Sequence, residues 1–375
     1  MGTITRTIAN NITTGLGGAK VPSAFRNLII NGDMSVAQRP TTTGITNASG
    51  DVYVCDKFCW SESGGMTSTF TMSQDNDVPD GYGFAKSLKL DCTATDTPAT
   101  NERIRIETRF EGQHLQLLKK GTNNAESFTL SFWVQSVKTG TYIVNFLDED
   151  NSRHVSKAYT ISSANTWEKK TMTVTPDGNG RFDNDNAHSL TIAWLLAAGD
   201  SLKSGSLADV WADYANANYA AGQVNFADNT NNNFFLTGVQ LEAGTTALDF
   251  EFLPFDVTKT RCLRYYQKSY EYATAPGTNT TNGQHTTDGG AGGTTTGELS
   301  GDIDFKEIMR AAPTVTLYDK AGTSGKSARL RSGVSRTDGQ NGTAGDITQK
   351  GFTLTSTGTA LANSIDVHFE AKADI

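Results

Sequence analysis

Cysteine is scarce in this sequence. Four residues, Cys55, Cys59, Cys92 and Cys262, are spread through 375. That is too few for a disulfide framework at this length. Cys55 and Cys59 lie close together in DVYVCDKFCW, but no Cys or His pair elsewhere completes a zinc-like spacing. Buried free thiols in a protein made in a reducing compartment are the expectation. Positive charge is also short, with 32 Lys and Arg against 40 Asp and Glu and a net charge of −8. Phosphate affinity depends on clustered Lys and Arg, so neither nucleic acid nor a membrane surface is expected as a partner. No apolar run approaches the roughly 20 residues that a membrane helix needs. The first residues, MGTITRTIANNITTGLGGAK, lack the apolar stretch of a secretory signal. Gly2 alone does not make a myristoylation site.

Catalytic motifs are missing too. There is no P-loop, no GxGxxG after a strand, no HExxH and no GxSxG. The five histidines, at 114, 154, 188, 285 and 368, are scattered. No enzyme activity and no cofactor are expected. The acid pairs Asp148/Asp150 and Asp183/Asp185 read as solvated turn residues. A calcium site at Asp183/Asp185 is the alternative, because hard oxygen ligands cluster in such loops.

What is present favours short strands. The chain has 37 Gly against 8 Pro, is 37% hydrophobic and only 19% charged, a profile of strands joined by polar turns rather than long helices. In FTLSFWVQ (128–135), Phe128, Leu130, Phe132 and Val134 share one face. RIRIETRF (103–110) puts Ile104, Ile106 and Phe110 inside and Arg103, Arg105, Glu107 and Arg109 on a charged solvent face. LTIAWLLA (190–197) is continuously apolar, as a central strand would be. Strands at this spacing suggest a sandwich or jelly roll. After Pro254, Asp256 is a plausible N-cap for a short helix over 257–268. The Gly/Thr-rich stretch 277–297 reads as a long loop. A second β-unit follows, with strands at 314–319, 328–334, 351–357 and 364–371. In the last of these Ile365, Val367 and Phe369 face one way and Asp366, His368 and Glu370 the other.

The fold class is therefore all-β. The expected organisation is an N-terminal arm at 1–25, a jelly-roll domain at 26–256, a linking helical segment at 257–272 and a smaller C-terminal β-sandwich at 273–375. In the arm, Ile4, Ile8 and Ile12 recur on one face of a segment too short to bury them alone, which suggests docking onto a larger assembly. Three aromatics, Trp211, Tyr214 and Tyr219, are interleaved with Asp213, Asn216 and Asn218 in a stretch that reads as a surface loop. Sugars stack on exposed rings and hydrogen-bond amides and carboxylates, so this loop is the candidate glycan contact. The competing reading has Trp211 plugging the end of the sandwich. Trp133 lies opposite the apolar stripe of its strand and Trp167 shares a face with Lys169, Thr171 and Thr173, the competing reading for both being core in a second sheet face or under a loop; Trp60 and Trp194 read as core.

The segments NLIINGDMSVAQR (27–39), FTLSFWVQS (128–136), FFLTGVQLEAGTTALDFEFLPF (234–255) and RCLRYYQKSY (261–270) resemble a family of bacteriophage virion proteins. Its members carry jelly rolls similar to carbohydrate-binding modules and occur in tail or head fibres, notably of marine phages. MRAAPTVTLYD (309–319) resembles the start of the C-terminal sandwich that often follows. The resemblance implies a trimeric structural protein of the virion, assembled in the cytoplasm of a bacterial host. It would be a tail fibre that attaches by its arm and adsorbs to a host glycan, or else a head fibre or capsid decoration protein. Its partners would be copies of itself, other virion proteins and a cell-surface glycan. Leu263, Tyr265 and Tyr266 would then sit near the trimer axis.

Overall fold

The computed structural model describes residues 25–288, 297–331 and 335–375. The expected arm, with Ile4, Ile8 and Ile12, lies outside the described residues. The first unit holds β1 (Thr42–Ile45), β2 (Val52–Tyr53), β3 (Cys59–Ser63), β4 (Thr69–Asp75), β5 (Ser87–Ala94) and β6 (Arg103–Glu111). It continues through β7 (Phe128–Ser136), β8 (Gly140–Asp148), β9 (Arg153–Ile161), β10 (Glu168–Val174), β11 (His188–Ala198), β12 (Ala212–Asp213) and β13 (Asn233–Ala243). These strands form two antiparallel sheets, one ordered β1-β4-β5-β13-β7-β10 and the other β12-β9-β8-β11-β6-β3-β2. Strands distant in sequence pair side by side, as β13 does between β5 and β7, which is jelly-roll connectivity.

The two sheets face each other across one core. Phe132, Leu130 and Leu236 come from the six-stranded sheet, and Trp60, Trp194, Phe146 and Ile106 from the seven-stranded one. Trp60 and Trp194 are buried as the sequence suggests. Strand β11 runs between β6 and β8. Its continuous apolar run has a simple cause. Ile192, Trp194 and Leu196 enter the main core, while Leu195 and Ala198 pack on the other side with Leu202, Tyr219 and Ala220.

Helix α1 spans Phe255–Leu263, shorter than the 257–268 read from the sequence. Pro254, not Asp256, occupies the N-cap position. The helix stops because the chain turns into a strand, β14 (Tyr266–Lys268), which pairs with the far end of the chain at Glu370, Ala371 and Lys372. The second unit thus begins at β14, earlier than residue 273. It goes on through β15 (His285–Asp288), β16 (Leu299–Asp304), β17 (Thr314–Tyr318), β18 (Lys326–Arg331), β19 (Ser335–Gly345), β20 (Gly351–Thr357) and β21 (Ser364–Lys372). β15 falls in the Gly/Thr-rich segment expected as loop. It is a strand because β21 supplies its hydrogen-bonding edge.

Strand β21 is the axis of this smaller sandwich, pairing with β14, β15, β17 and β18. Its polar side is therefore not a solvent face. Asp366, His368 and Glu370 are all buried, each with partners. Arg336 Nη1 lies 2.7 Å from Asp366 Oδ2. The Tyr270 ring stacks on His368 with centroids 3.9 Å apart. The Tyr266 and Tyr318 hydroxyls donate to Glu370 at 3.1 and 3.0 Å.

The three residues expected at a trimer axis are buried within one chain. Tyr265 donates its hydroxyl to Glu111 Oε1 at 2.6 Å, and Lys57 Nζ sits 3.5 Å from the centre of its ring. The Arg39 guanidinium lies 3.8 Å over the Tyr266 ring. Burying a phenol or a cation without a partner is costly, and here each finds its partner inside the chain. Tyr265 and Tyr266 fasten the two units of one chain, and with Leu263 buried beside them the three present little surface to another copy.

Glu111 anchors this joint. Its buried carboxylate also receives Arg264 through Nε at 2.8 Å and Nη2 at 2.6 Å. Burial alone would raise its pKa, but the hydrogen bonds from Arg264 and Tyr265 and the Arg264 charge outweigh that and hold it at about 2. A carboxyl whose folded pKa lies below its unfolded value binds fewer protons when folded. Its stabilisation is complete above about 4.5 and is lost as the pH falls from there through about 2. Urea titrations should show Glu111→Gln losing about 3 kcal/mol at pH 7. The gap to the parent chain should shrink across that acid window. A constant gap would contradict this account.

Candidate functional site

The outward side of the seven-stranded sheet carries the functional candidates. Alternation along β6 sends Ile104, Ile106 and Phe110 to the core, as read from the sequence, and puts Arg103, Arg105, Glu107 and Arg109 on the other side. That side is covered rather than open. Glu107 is buried between two guanidiniums, with Arg105 Nε 2.8 Å from Oε2 and Arg109 Nε donating to Oε1 at 2.7 Å. Arg109 continues to Asp51 Oδ2 at 2.6 Å and to the Ile375 carbonyl oxygen at 2.6 Å. On the other flank, Arg105 Nη1 donates to the Tyr219 hydroxyl at 3.2 Å. Tyr219 belongs to the 200–223 segment, which packs Leu202, Tyr219 and Ala220 onto Ile143, Leu147 and Leu195 of the sheet.

A cleft of about 550 Å³ opens beside this cover. β6 supplies Arg103 and Arg105, the end of β8 and start of β9 supply Leu147, Glu149 and Arg153, and the 206–219 segment supplies Tyr214, Asn216 and Tyr219. The volume falls within the roughly 300–1,000 Å³ of small-molecule sites. Tyr214 is 39% exposed, and Asn216 is exposed. The Tyr219 ring is buried and meets Tyr214 edge-on at 5.9 Å. Asp213 is exposed and paired with Arg153 Nη1 at 2.7 Å. Asn218 is half-buried and holds the segment through its backbone, accepting from Ala208 N at 3.1 Å. The irregular 206–219 segment is thus a surface loop, with one short strand and one 3-10 turn, as the sequence indicates.

Trp211 departs from the glycan assignment. It is only 9% exposed and belongs to the main core. Its ring meets Phe128 edge-on at 6.4 Å, and Lys120 Nζ lies 4.8 Å from its centre. A large apolar ring beside the β12–β9 pairing closes the end of the sandwich and offers no face to a sugar. Tyr219 is likewise a support for the cleft, since its ring lies beneath its neighbours. Arg103 and Glu149, which the sequence reading did not select, line the cleft. The alternation in RIRIETRF marked Arg103 as outward-facing but gave no sign that the 206–219 loop returns to it.

The outward side of the six-stranded sheet holds a second aromatic group. Half-buried Trp133 packs against Tyr82 with centroids 4.3 Å apart, and Tyr82 is 57% exposed. Trp167 donates Nε1 to Asp77 Oδ1 at 2.9 Å. Gly238 permits this packing, because it adopts φ 62° and a Cβ there would lie 2.7 Å from Phe84 Cζ and 2.9 Å from Trp133 Cδ1.

Titratable groups near the cleft are shaped by burial. The Glu149 carboxyl is raised by burial, partly offset by the hydrogen bond from Thr191. His188 is pushed down to about 4, by burial first and then by the charges of Arg109, Lys57 and Arg105. Among the described residues one trio, Asp51, Cys59 and Glu107, brings metal-ligating atoms within 4.8 Å of one another. Arg109 pairs with both acids of the trio. Burial drives the Cys59 thiol well above its ordinary pKa, so this is a guanidinium site and a poor cation site. Asp183 and Asp185 join no such group among the described residues. All four cysteines are free and buried.

No protein-family model matches the chain, and no curated protein matches its sequence. Several solved structures align with part of the chain. The enzymatically active domain of bacteriophage CBA120 tailspike protein 4 is 16% identical, with a TM-score of 0.30 over 59% of this chain. The match spans 22% of that tailspike chain. A C-terminal family 22 carbohydrate-binding module of Clostridium thermocellum Xyn10B is 10% identical, with a TM-score of 0.30 over 60% of this chain and 100% of that one. A putative sugar binding protein from Bacteroides thetaiotaomicron is 12% identical, with a TM-score of 0.30 over 58% of this chain and 99% of that one. The strand order by itself makes the larger unit a jelly-roll sandwich. Likeness at this level carries no argument about the site.

The core position of Trp211 has a direct consequence. Trp211→Ala should cost about 3–5 kcal/mol of stability, read by chemical denaturation. A stable, fully folded variant would return Trp211 to the list of surface platforms.

Proposed function

We propose that this chain is a fibre-type structural protein of a bacteriophage particle that adsorbs to a host-surface glycan through the cleft on its seven-stranded sheet. The observation that carries the glycan part is the meeting of an exposed Tyr214 ring with arginine, carboxylate and amide side chains in one open cleft of suitable volume. A ring face for stacking and flanking hydrogen-bond groups are what a sugar requires. The sequence resemblance to phage fibre proteins supports the virion part. Attachment through Ile4, Ile8 and Ile12, and assembly into a homotrimer by surfaces other than Leu263, Tyr265 and Tyr266, belong to the same reading. The two tightly fastened units favour a rigid element of the particle, which also suits a purely structural head fibre or decoration protein.

A single stacking contact is weak, with an affinity per site near millimolar, so adsorption would depend on many copies. Tyr214→Ala should leave the melting temperature within a few degrees and lower adsorption of the assembled particle to host cells by at least about tenfold. Unchanged adsorption by a folded variant would remove the cleft from host recognition and favour the structural role. Deleting residues 1–20 should leave a folded, oligomeric protein that fails to join particles. Normal incorporation of the truncated chain would refute the attachment role.

A further inference from the structure

We infer that the cleft selects a sugar bearing an oxyanion, a carboxylate or a sulfate, and that Arg103 is the residue that reads it. This inference rests on the glycan reading of the cleft and specifies its ligand class. Three arginines line the cleft. Arg105 is paired with Glu107, and Arg153 with Asp177 and Asp213. Arg103 makes no ion pair among the described residues, although it lies on the same sheet face. Its Nε is buried and finds no hydrogen-bond acceptor. Its guanidinium carbon lies 5.3 Å over the Tyr219 ring, and Tyr219 is in turn fixed by Arg105. The fork is therefore held in place by the Tyr219 face and by a hydrogen bond to Tyr214, and it has no acid partner among the described residues. A planar guanidinium matches a carboxylate or sulfate with two parallel hydrogen bonds, which a neutral hydroxyl pair satisfies less well.

The acids of the cleft do not fill this role. Asp148 is held by Lys120 and Asn151, and Glu149 accepts from Thr191. The net charge of −8 disfavours a dense polyanion at long range. The fitting ligand is a glycan with isolated acidic sugars beside neutral ones, whose ring stacks on Tyr214 as its acid reaches Arg103.

The test uses the full chain and four probes: a uronic-acid oligosaccharide, the same oligosaccharide with its carboxyls reduced to alcohols, and a matched pair of sulfated and unsulfated oligosaccharides. Calorimetry or ligand-observed NMR reads the affinities. The expected result is binding at least about tenfold tighter for one acidic probe than for its neutral counterpart. Arg103→Gln should remove that preference, bringing the acidic probe down to the affinity of its neutral counterpart. The pair that shows the preference identifies carboxylate or sulfate as the group read. Arg103→Lys keeps the charge without the fork and should lose most of the preference, which gives the same readout if Arg103→Gln fails to fold. Equal binding of acidic and neutral probes, with loss of both in Tyr214→Ala, would overturn the oxyanion assignment and leave the glycan cleft standing. Absence of binding by every probe at millimolar concentration would overturn both.

Discussion

The carboxylate of Glu107 is the charge on which the outer face of the larger sandwich depends. It is buried on a sheet face that the sequence alone marks as solvent-exposed, and it stays there because Arg105 and Arg109 flank it. Each guanidinium then reaches in a different direction. Arg109 fixes Asp51 and the carbonyl of Ile375, so the chain's last residues cover one part of the sheet. Arg105 fixes the Tyr219 hydroxyl, so the 200–223 segment covers another. The cleft is the space left beside this cover. Removing one partner of a buried charge group leaves the others unpaired, at a cost of several kcal/mol. One carboxylate thus couples the C-terminal segment, the sheet and the wall of the cleft.

A second buried charge network holds the two units together. Arg39 pairs with Asp56 and Asp374 and stacks on Tyr266. Lys268 donates to the carbonyl oxygens of Gln38, Tyr272 and Thr274 at 2.6, 2.8 and 2.8 Å. The stretch 27–39 therefore belongs to the joint as much as to the jelly roll, which explains why so polar a segment is largely buried. Such networks contribute geometric definition more than net stability, since desolvation offsets most of the Coulomb gain. That suits a joint that holds the two units of the chain in one orientation.

Much of the fold was legible in local pattern. The alternation in FTLSFWVQ and RIRIETRF and the apolar run LTIAWLLA correspond to β7, β6 and β11, because each strand's inward residues meet a core that any sandwich must have. What was not legible depends on partners distant in the chain. The helical reading of 257–268 ran past Leu263 because nothing local shows that Tyr266–Lys268 pairs with β21. Nothing local shows that His368 and Glu370 are covered, because their covers, Tyr270 and Tyr318, lie on other strands and loops. The candidate site divided in the same way. The exposure of Tyr214 and Asn216 follows from composition, since polar residues interleaved with a ring mark a surface loop. Trp211 and Tyr219 in the same loop turned inward, and Arg103 was missed.

The two aromatic faces of the larger sandwich differ in what they can recognise. On the six-stranded sheet, Tyr82 and Trp133 sit together, and the nearby polar groups are already engaged, with Trp167 and Gln135 both donating to Asp77. A surface of that kind offers stacking area and little directional discrimination. On the seven-stranded sheet the exposed ring of Tyr214 stands beside the Arg103 guanidinium, whose Nε finds no acceptor, in a concave space. On the proposed glycan reading, binding energy there would come from oriented groups held before a ligand arrives, and preorganised donors discriminate between ligands more sharply than apolar area does. The side of the sandwich that buried its charges to stay folded is therefore also the side that holds oriented donors around a concave space.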